Sequence, residues 1–175
     1  MASSTRTSKI AAGEALSAIS NVSLSTALEI FAASNALQQS SQLRSALSDP
    51  SAEAAGKQQV VSAVFGAKFS GEVQGLILTL SNLRWSKSRD LPATLEQLGV
   101  RVIASLSSDI DALQAELFAV EQLASSDPEL ELALSSTKAS SDQKQAPISK
   151  LVTGKVSDHT MALANQAHES RSYKR

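Results

Sequence analysis

A chain of 175 residues that is 42% apolar can bury a core in one domain or in two small ones. It contains no cysteine, which excludes disulfides, a thiol nucleophile and a Cys-based metal site. Sixteen Lys and Arg are interspersed with 17 Asp and Glu for a net charge of −1, so no basic surface is available for a nucleic acid to follow. Aromatic residues make up only 3%, and seven Gly and four Pro leave few tight turns for a sheet. Ala, Leu, Val and Ile must therefore build the interior, and the abundance of Ala and Leu predicts an all-α fold.

In chain order, the first predicted helix covers 8–20, with Ala12, Ala15, Leu16 and Ile19 inward. A second covers 23–39, with Leu24, Leu28 and Phe31 at helical spacing. A short third, 42–48, is closed by Asp49-Pro50. Ser51 is the expected cap of a fourth over 52–65, whose inward face is Val60, Val61, Val64 and Phe65. Ser70 caps a fifth over 71–85, with Val73, Leu76, Ile77, Leu80 and Leu83 in one stripe. Asp90 opens a sixth over 91–106, aligned by Leu91, Leu95, Leu98 and Val102. The stripe continues through Ile110, Leu113, Leu117 and Val120; Ser107-Ser108-Asp109 reads equally as helix interior or as a turn with a new N-cap.

Residues 28–88 repeat in 115–175 at a constant offset of 87. Glu29, Phe31 and Ala32 meet Glu116, Phe118 and Ala119; Leu43, Ala46, Leu47 and Ser48 meet Leu130, Ala133, Leu134 and Ser135. Lys57 and Gln58 meet Lys144 and Gln145, Ser70 meets Ser157, and Arg84 meets Arg171. A gapless offset that keeps the cap serines in step reads as duplication. The expected organisation is a bundle over 1–106 and an incomplete second copy over 107–175, which has nothing to match the helix at 91–106. In this copy Asn165, Ser170 and Ser172 stand for Leu78, Leu83 and Trp85, so it should be the less stable half.

The stretches Leu43-Arg-Ser-Ala-Leu-Ser-Asp-Pro-Ser51 and Arg84-Trp-Ser-Lys-Ser-Arg-Asp-Leu91 carry a resemblance, echoed by Glu116-Leu-Phe118, Asp127-Pro-Glu-Leu-Glu-Leu-Ala-Leu134 and Gly154-Lys-Val-Ser157. The chain resembles the N-terminal part of the long, internally duplicated delta subunits of F-type ATP synthases from high-GC Gram-positive bacteria, relatives of the oligomycin-sensitivity-conferring protein. This resemblance implies a six-helix bundle seated on the catalytic head, bound to the N-terminal helix of an alpha subunit. It implies further a C-terminal region that grips the b-subunit stalk, and no active site or cofactor. The present sequence ends where the longer members continue, so head binding is better supported than stalk binding. The implied groove lies between the first and fifth helices, making Leu16, Ile19, Val73, Leu76 and Leu80 its candidate lining. For each residue alone, a plain core position is the simpler explanation.

Other chemistry finds little footing. His159 and His168 are nine apart and share no helix face at ligand spacing, and Asp158 points away from His159. The acidic residues Asp127, Glu129 and Glu131 suit a helix start rather than a metal. Gly66-Ala-Lys68 and Gly154-Lys155 read as helix C-caps, and no phosphate-loop or dinucleotide fingerprint occurs. Arg84-Trp85-Ser86-Lys87-Ser88-Arg89 combines one aromatic with several cations, best read as Trp85 covering the bundle end. The start, Met-Ala-Ser-Ser-Thr-Arg-Thr-Ser-Lys, lacks the apolar core of a signal peptide, and no run reaches the roughly 20 apolar residues of a membrane span. Any membrane association is therefore expected to be peripheral, on the cytoplasmic face and through protein partners. The competing expectation is a helical adaptor unrelated to ATP synthase.

Overall fold

A computed structural model of the chain describes residues 2–126 and 156–173. Among these residues it contains eight helices and no strand. They are α1 (Ala2–Ser17), α2 (Leu24–Gln39), α3 (Ser41–Ser48), α4 (Ala54–Phe65), α5 (Gly71–Ser81), α6 (Asp90–Leu106), α7 (Ile110–Ser126) and α8 (Asp158–Tyr173). Backbone contacts divide the chain into two compact units, Met1–Leu106 and Ser107–Arg175.

The first unit is organised around α2, which packs most extensively on α6; α1 lies against α5 and α6, and α4 against α5. Ile30, Leu37, Leu47, Ile77, Leu80, Leu91, Leu95 and Ile103 are fully buried. Each such side chain contributes on the order of 1.5–3 kcal/mol by leaving water. The α2–α6 approach is tightest where Gly99 meets the Phe31 ring. A Cβ at Gly99 would lie 2.5 Å from that ring, so only a missing side chain lets the two helices close.

Helix ends follow local hydrogen bonding. Ser23 and Thr26 form a capping box at the start of α2, and Ser40 and Ser70 cap α3 and α5 through their hydroxyls. Ser51 does not cap α4. Its backbone N–H and hydroxyl both donate to Asp49 Oδ1, at 2.8 and 2.7 Å, so it closes a turn, and α4 begins later with Glu53 as N-cap. The question left open at 107–109 resolves into two helices: Asp109 Oδ1 accepts the Ala112 N–H at 2.9 Å and caps α7.

Besides α4, two predicted helices differ in their bounds by more than one residue. The polar start of α1 is helical because its side chains are tied down: Thr5 donates to Asp90 at 2.6 Å and Ser8 to the Arg84 carbonyl at 2.6 Å. At its far end α1 stops at Ser17 and the chain turns through Asn21, whose φ of 60° is in the left-handed region that Asn tolerates. The fifth helix ends at Ser81, and Trp85 folds back to donate its indole N–H to the Leu80 carbonyl at 2.9 Å. Trp85 thus satisfies one of the carbonyls left open at the end of α5.

Inward faces also differ in places. On α2, Leu28 is exposed and Leu24 half-buried, and the core side is Ala27, Ile30, Phe31, Ala33, Ser34 and Leu37. On α4, Val61 and Phe65 are buried while Val60 is half-buried and Val64 exposed. On α6 the expected stripe of Leu91, Leu95, Leu98 and Val102 is buried throughout. In the second unit, α7 packs on α8. Leu113 and Val120 are buried there, Leu117 is half-buried and Ile110 exposed. The acidic residues Asp127, Glu129 and Glu131, the Gly154-Lys155 cap and the repeat matches between 130 and 149 lie outside the described residues.

Candidate helix-binding surfaces

Of the five residues expected to line a groove between the first and fifth helices, Leu16 and Ile19 are half-buried near the end of α1 and beyond it. Val73, Leu76 and Leu80, on α5, are 0, 2 and 0% exposed. The α5 residues are thus core positions, and of the five only Leu16 and Ile19 keep part of their surface exposed. The position of α1 is set by hydroxyls: besides the Thr5 and Ser8 bonds, Ser86 N–H donates to Thr5 Oγ1 at 3.0 Å, and the Ser4 and Ser86 hydroxyls lie 2.8 Å apart. The serine- and threonine-rich start of the chain thereby fastens α1 to the α5–α6 connection.

Along its other side α1 borders α6, leaving a hollow of about 740 Å³ lined by Arg6, Lys9, Ile10, Gly13, Glu14 and Arg101 among others. Arg101 lies across Gly13, where an added Cβ would stand 3.1 Å from its guanidinium. Ile10 is exposed beside three cations and one carboxylate, a mixed surface of apolar and positive character.

Three ionisable side chains are committed to holding helices together. Lys57 on α4 is only 3% exposed and donates its ammonium to the Ser81 carbonyl at the end of α5, at 2.7 Å. The cation sits at the negative end of that helix, while burial holds its pKa below the usual lysine value. Glu29 on α2 accepts both the N–H and the hydroxyl of Ser70, each at 2.8 Å, joining α2 to the start of α5. Glu116 on α7 accepts the same pair from Ser157, at 2.9 and 2.7 Å, and also the Thr160 hydroxyl. These bonds, led by that from Thr160, hold the Glu116 carboxyl below its ordinary value.

None of these clasps was recognised from sequence, although the signal was present. Glu29 with Glu116, Ser70 with Ser157 and Lys57 with Lys144 are all identities at the same offset. Both clasps span 41 residues, so the second unit reproduces the α2–α5 joint of the first. His159 and His168 are both half-buried on α8. No described helix is long and apolar enough to cross a membrane.

Comparison with known proteins adds a family to this geometry. The family model described as ATP synthase delta (OSCP) subunit matches residues 99–173. "ATP synthase subunit delta" of Leifsonia xyli subsp. xyli is 38% identical over 95% of the chain and 63% of the relative. The proteins of the same name from Rhodococcus opacus and Cutibacterium acnes are 32% and 34% identical over 90% and 79% of the chain. These alignments take in 56% and 54% of those two relatives, so the chain spans little more than half to under two thirds of their length.

Proposed function

We propose, from its similarity to ATP synthase delta (OSCP) subunits, that the chain acts as a non-catalytic stator subunit of a proton-translocating F-type ATP synthase. In this reading the first unit binds the N-terminal helix of an alpha subunit at the top of the catalytic head and helps link the head to the b-subunit stalk. The complex places it peripherally on the cytoplasmic face of the membrane. The observation that carries the proposal is the alignment with "ATP synthase subunit delta" of Leifsonia xyli across 95% of this chain.

The physical case is that a bundle of short amphipathic helices presents grooves into which one more helix can lay its apolar side. Leu16 and Ile19 offer half-buried apolar surface at the end of α1, and Val73, Leu76 and Leu80 on the neighbouring α5 are buried. A packed neighbour beside partly exposed residues lowers the ordering cost of binding.

Calorimetric titration of the full chain with a peptide from the N-terminus of the cognate alpha subunit tests this reading. Saturable one-to-one binding, weakened by Leu16→Asp or Ile19→Asp in chains with unchanged helicity, supports it. A folded chain that takes up no peptide would return the molecule to the class of helical adaptors unrelated to the synthase.

A further inference from the structure

Three cations of the first unit are gathered along one side of α1. Arg6, Ile10, Gly13 and Ser17 recur at helical spacing and form a single row about 16 Å long, three turns of the helix. Lys9 lies beside this row, and Arg101 of α6 reaches across it at Gly13. Gly13 makes the crossing possible: a Cβ there would stand 3.1 Å from the guanidinium, and a longer side chain would displace it. The hollow thus sets three cations against one carboxylate, Glu14. Elsewhere in the unit Arg44 and Lys57 donate to backbone carbonyls, whereas among the described residues no side-chain hydrogen bond or ion pair engages Arg6, Lys9 or Arg101. Ile10, in the same lining, is 58% exposed, more than any other large apolar side chain described in this unit.

We propose that this trough between α1 and α6 is a docking surface for one acidic amphipathic helix of a partner protein. Its charge selects the partner. Carboxylates pair with Arg6, Lys9 and Arg101, and a guanidinium can take a carboxylate through two parallel hydrogen bonds. Its shape selects a helix, because a straight three-turn row with no side chain at Gly13 admits a rod that lays one stripe along it. Ile10 supplies the apolar contact, so the partner must carry an aliphatic side chain between its carboxylates. Glu14 calls for a donor or cation, which fixes the direction of the bound helix. A nucleic acid is a poorer fit: no aromatic side chain lines the trough for bases to stack on, and Glu14 would repel a phosphate. Both walls belong to the first unit, so the surface draws on neither the internal repeat nor the second unit. It also stands apart from alpha-subunit binding at Leu16 and Ile19, neither of which lines it.

The probe is a synthetic helical peptide of about four turns with glutamates along both edges of a leucine stripe. Titrated into the full chain at low salt, it is expected to bind one-to-one, and a peptide with lysines in place of the glutamates is not. Affinity should fall about tenfold with Arg101→Glu, which reverses a contact charge. It should fall similarly with Gly13→Leu, which fills the trough without changing its charge, and about fivefold with Ile10→Ser. Leu16→Asp should leave it unchanged. Because Ile10 and Arg101 are exposed, their replacement should not alter the circular dichroism. Absence of saturable binding by the helical chain would overturn the proposal. So would binding weakened by Arg101→Glu but indifferent to Gly13→Leu and Ile10→Ser, which marks diffuse attraction without a seat. Uptake by phosphatidylserine-containing vesicles in place of the peptide would overturn it too, as would sedimentation showing the chain alone to be a dimer that Arg101→Glu dissociates.

Discussion

Phe31 and Phe118 occupy the same place in a duplicated sequence, yet one is buried beneath a sixth helix and the other lies open. Around Phe31, α2 is buried by α6 on one side and joined to α5 through Glu29. Around Phe118, α7 retains the joint to α8 through Glu116, while its outer side remains exposed. The pair teaches that the hydrogen-bonded joint recurs in both units even though the matching phenylalanine is buried in one and exposed in the other.

The largest expected effect comes from treating the two phenylalanines alike. Phe31→Ala empties a closed site and should destabilise the first unit by about 3–5 kcal/mol. The same change at Phe118 should stay within about 0.5 kcal/mol in the isolated chain. Urea unfolding of the two variants checks this, and equal costs would end the comparison.

A smaller effect is expected at Lys57, whose buried ammonium serves the Ser81 carbonyl. Lys57→Met keeps the apolar stem but removes the donor, and should lower stability by about 1 kcal/mol at neutral pH. Since burial lowers the folded pKa, the unfolded chain binds more protons between that value and 10.5. Stability of the native chain should therefore gain from Lys57 as pH rises through that window, and the Met variant should lack this gain.

In the second unit, Asn165 Oδ1 and Ser170 Oγ are buried without hydrogen-bond partners among the described residues. Leu78 and Leu83 stand at these places in the first. Ser170→Ala removes an unsatisfied hydroxyl and is expected to stabilise the α7–α8 pair by about 1 kcal/mol. A rise in its thermal midpoint would register this, and a fall would show that the hydroxyl is satisfied in solution. The subtlest expectation concerns Glu116, held below its usual carboxyl range by Thr160 and Ser157. The stabilisation it gives the α7–α8 joint should be complete above pH 4.5 and disappear as pH falls through the lowered folded value, observable by NMR titration of the side chain.

Much of the fold was legible because α6 and most of α5 carry their apolar residues at strict helical spacing, and because Ser70 caps the helix that follows it. The rest depended on tertiary contacts. The polar start of α1 reads as a tail until Asp90 and the Arg84 carbonyl are there to receive it. On α2, the larger residues Leu24 and Leu28 drew attention from the Ala27, Ile30 and Ser34 side that α6 covers. Spacing identifies a stripe but not which of two adjacent stripes a neighbour selects. The same limit applied to the expected groove lining: Val73, Leu76 and Leu80 are buried core residues. An aspartate at Leu76 would therefore disrupt the core, and Leu16 and Ile19 are the positions at which to test the proposed binding.

Residue-resolved hydrogen–deuterium exchange on the intact chain tests the contrast between a closed and an open copy most directly. Amides of Ile30, Phe31 and Leu95 should exchange about 100-fold or more slowly than those of Leu117 and Phe118, a difference of roughly 3 kcal/mol in opening free energy. Equal protection across α2 and α7 would mean that α7 is as well covered as α2, and would contradict the account.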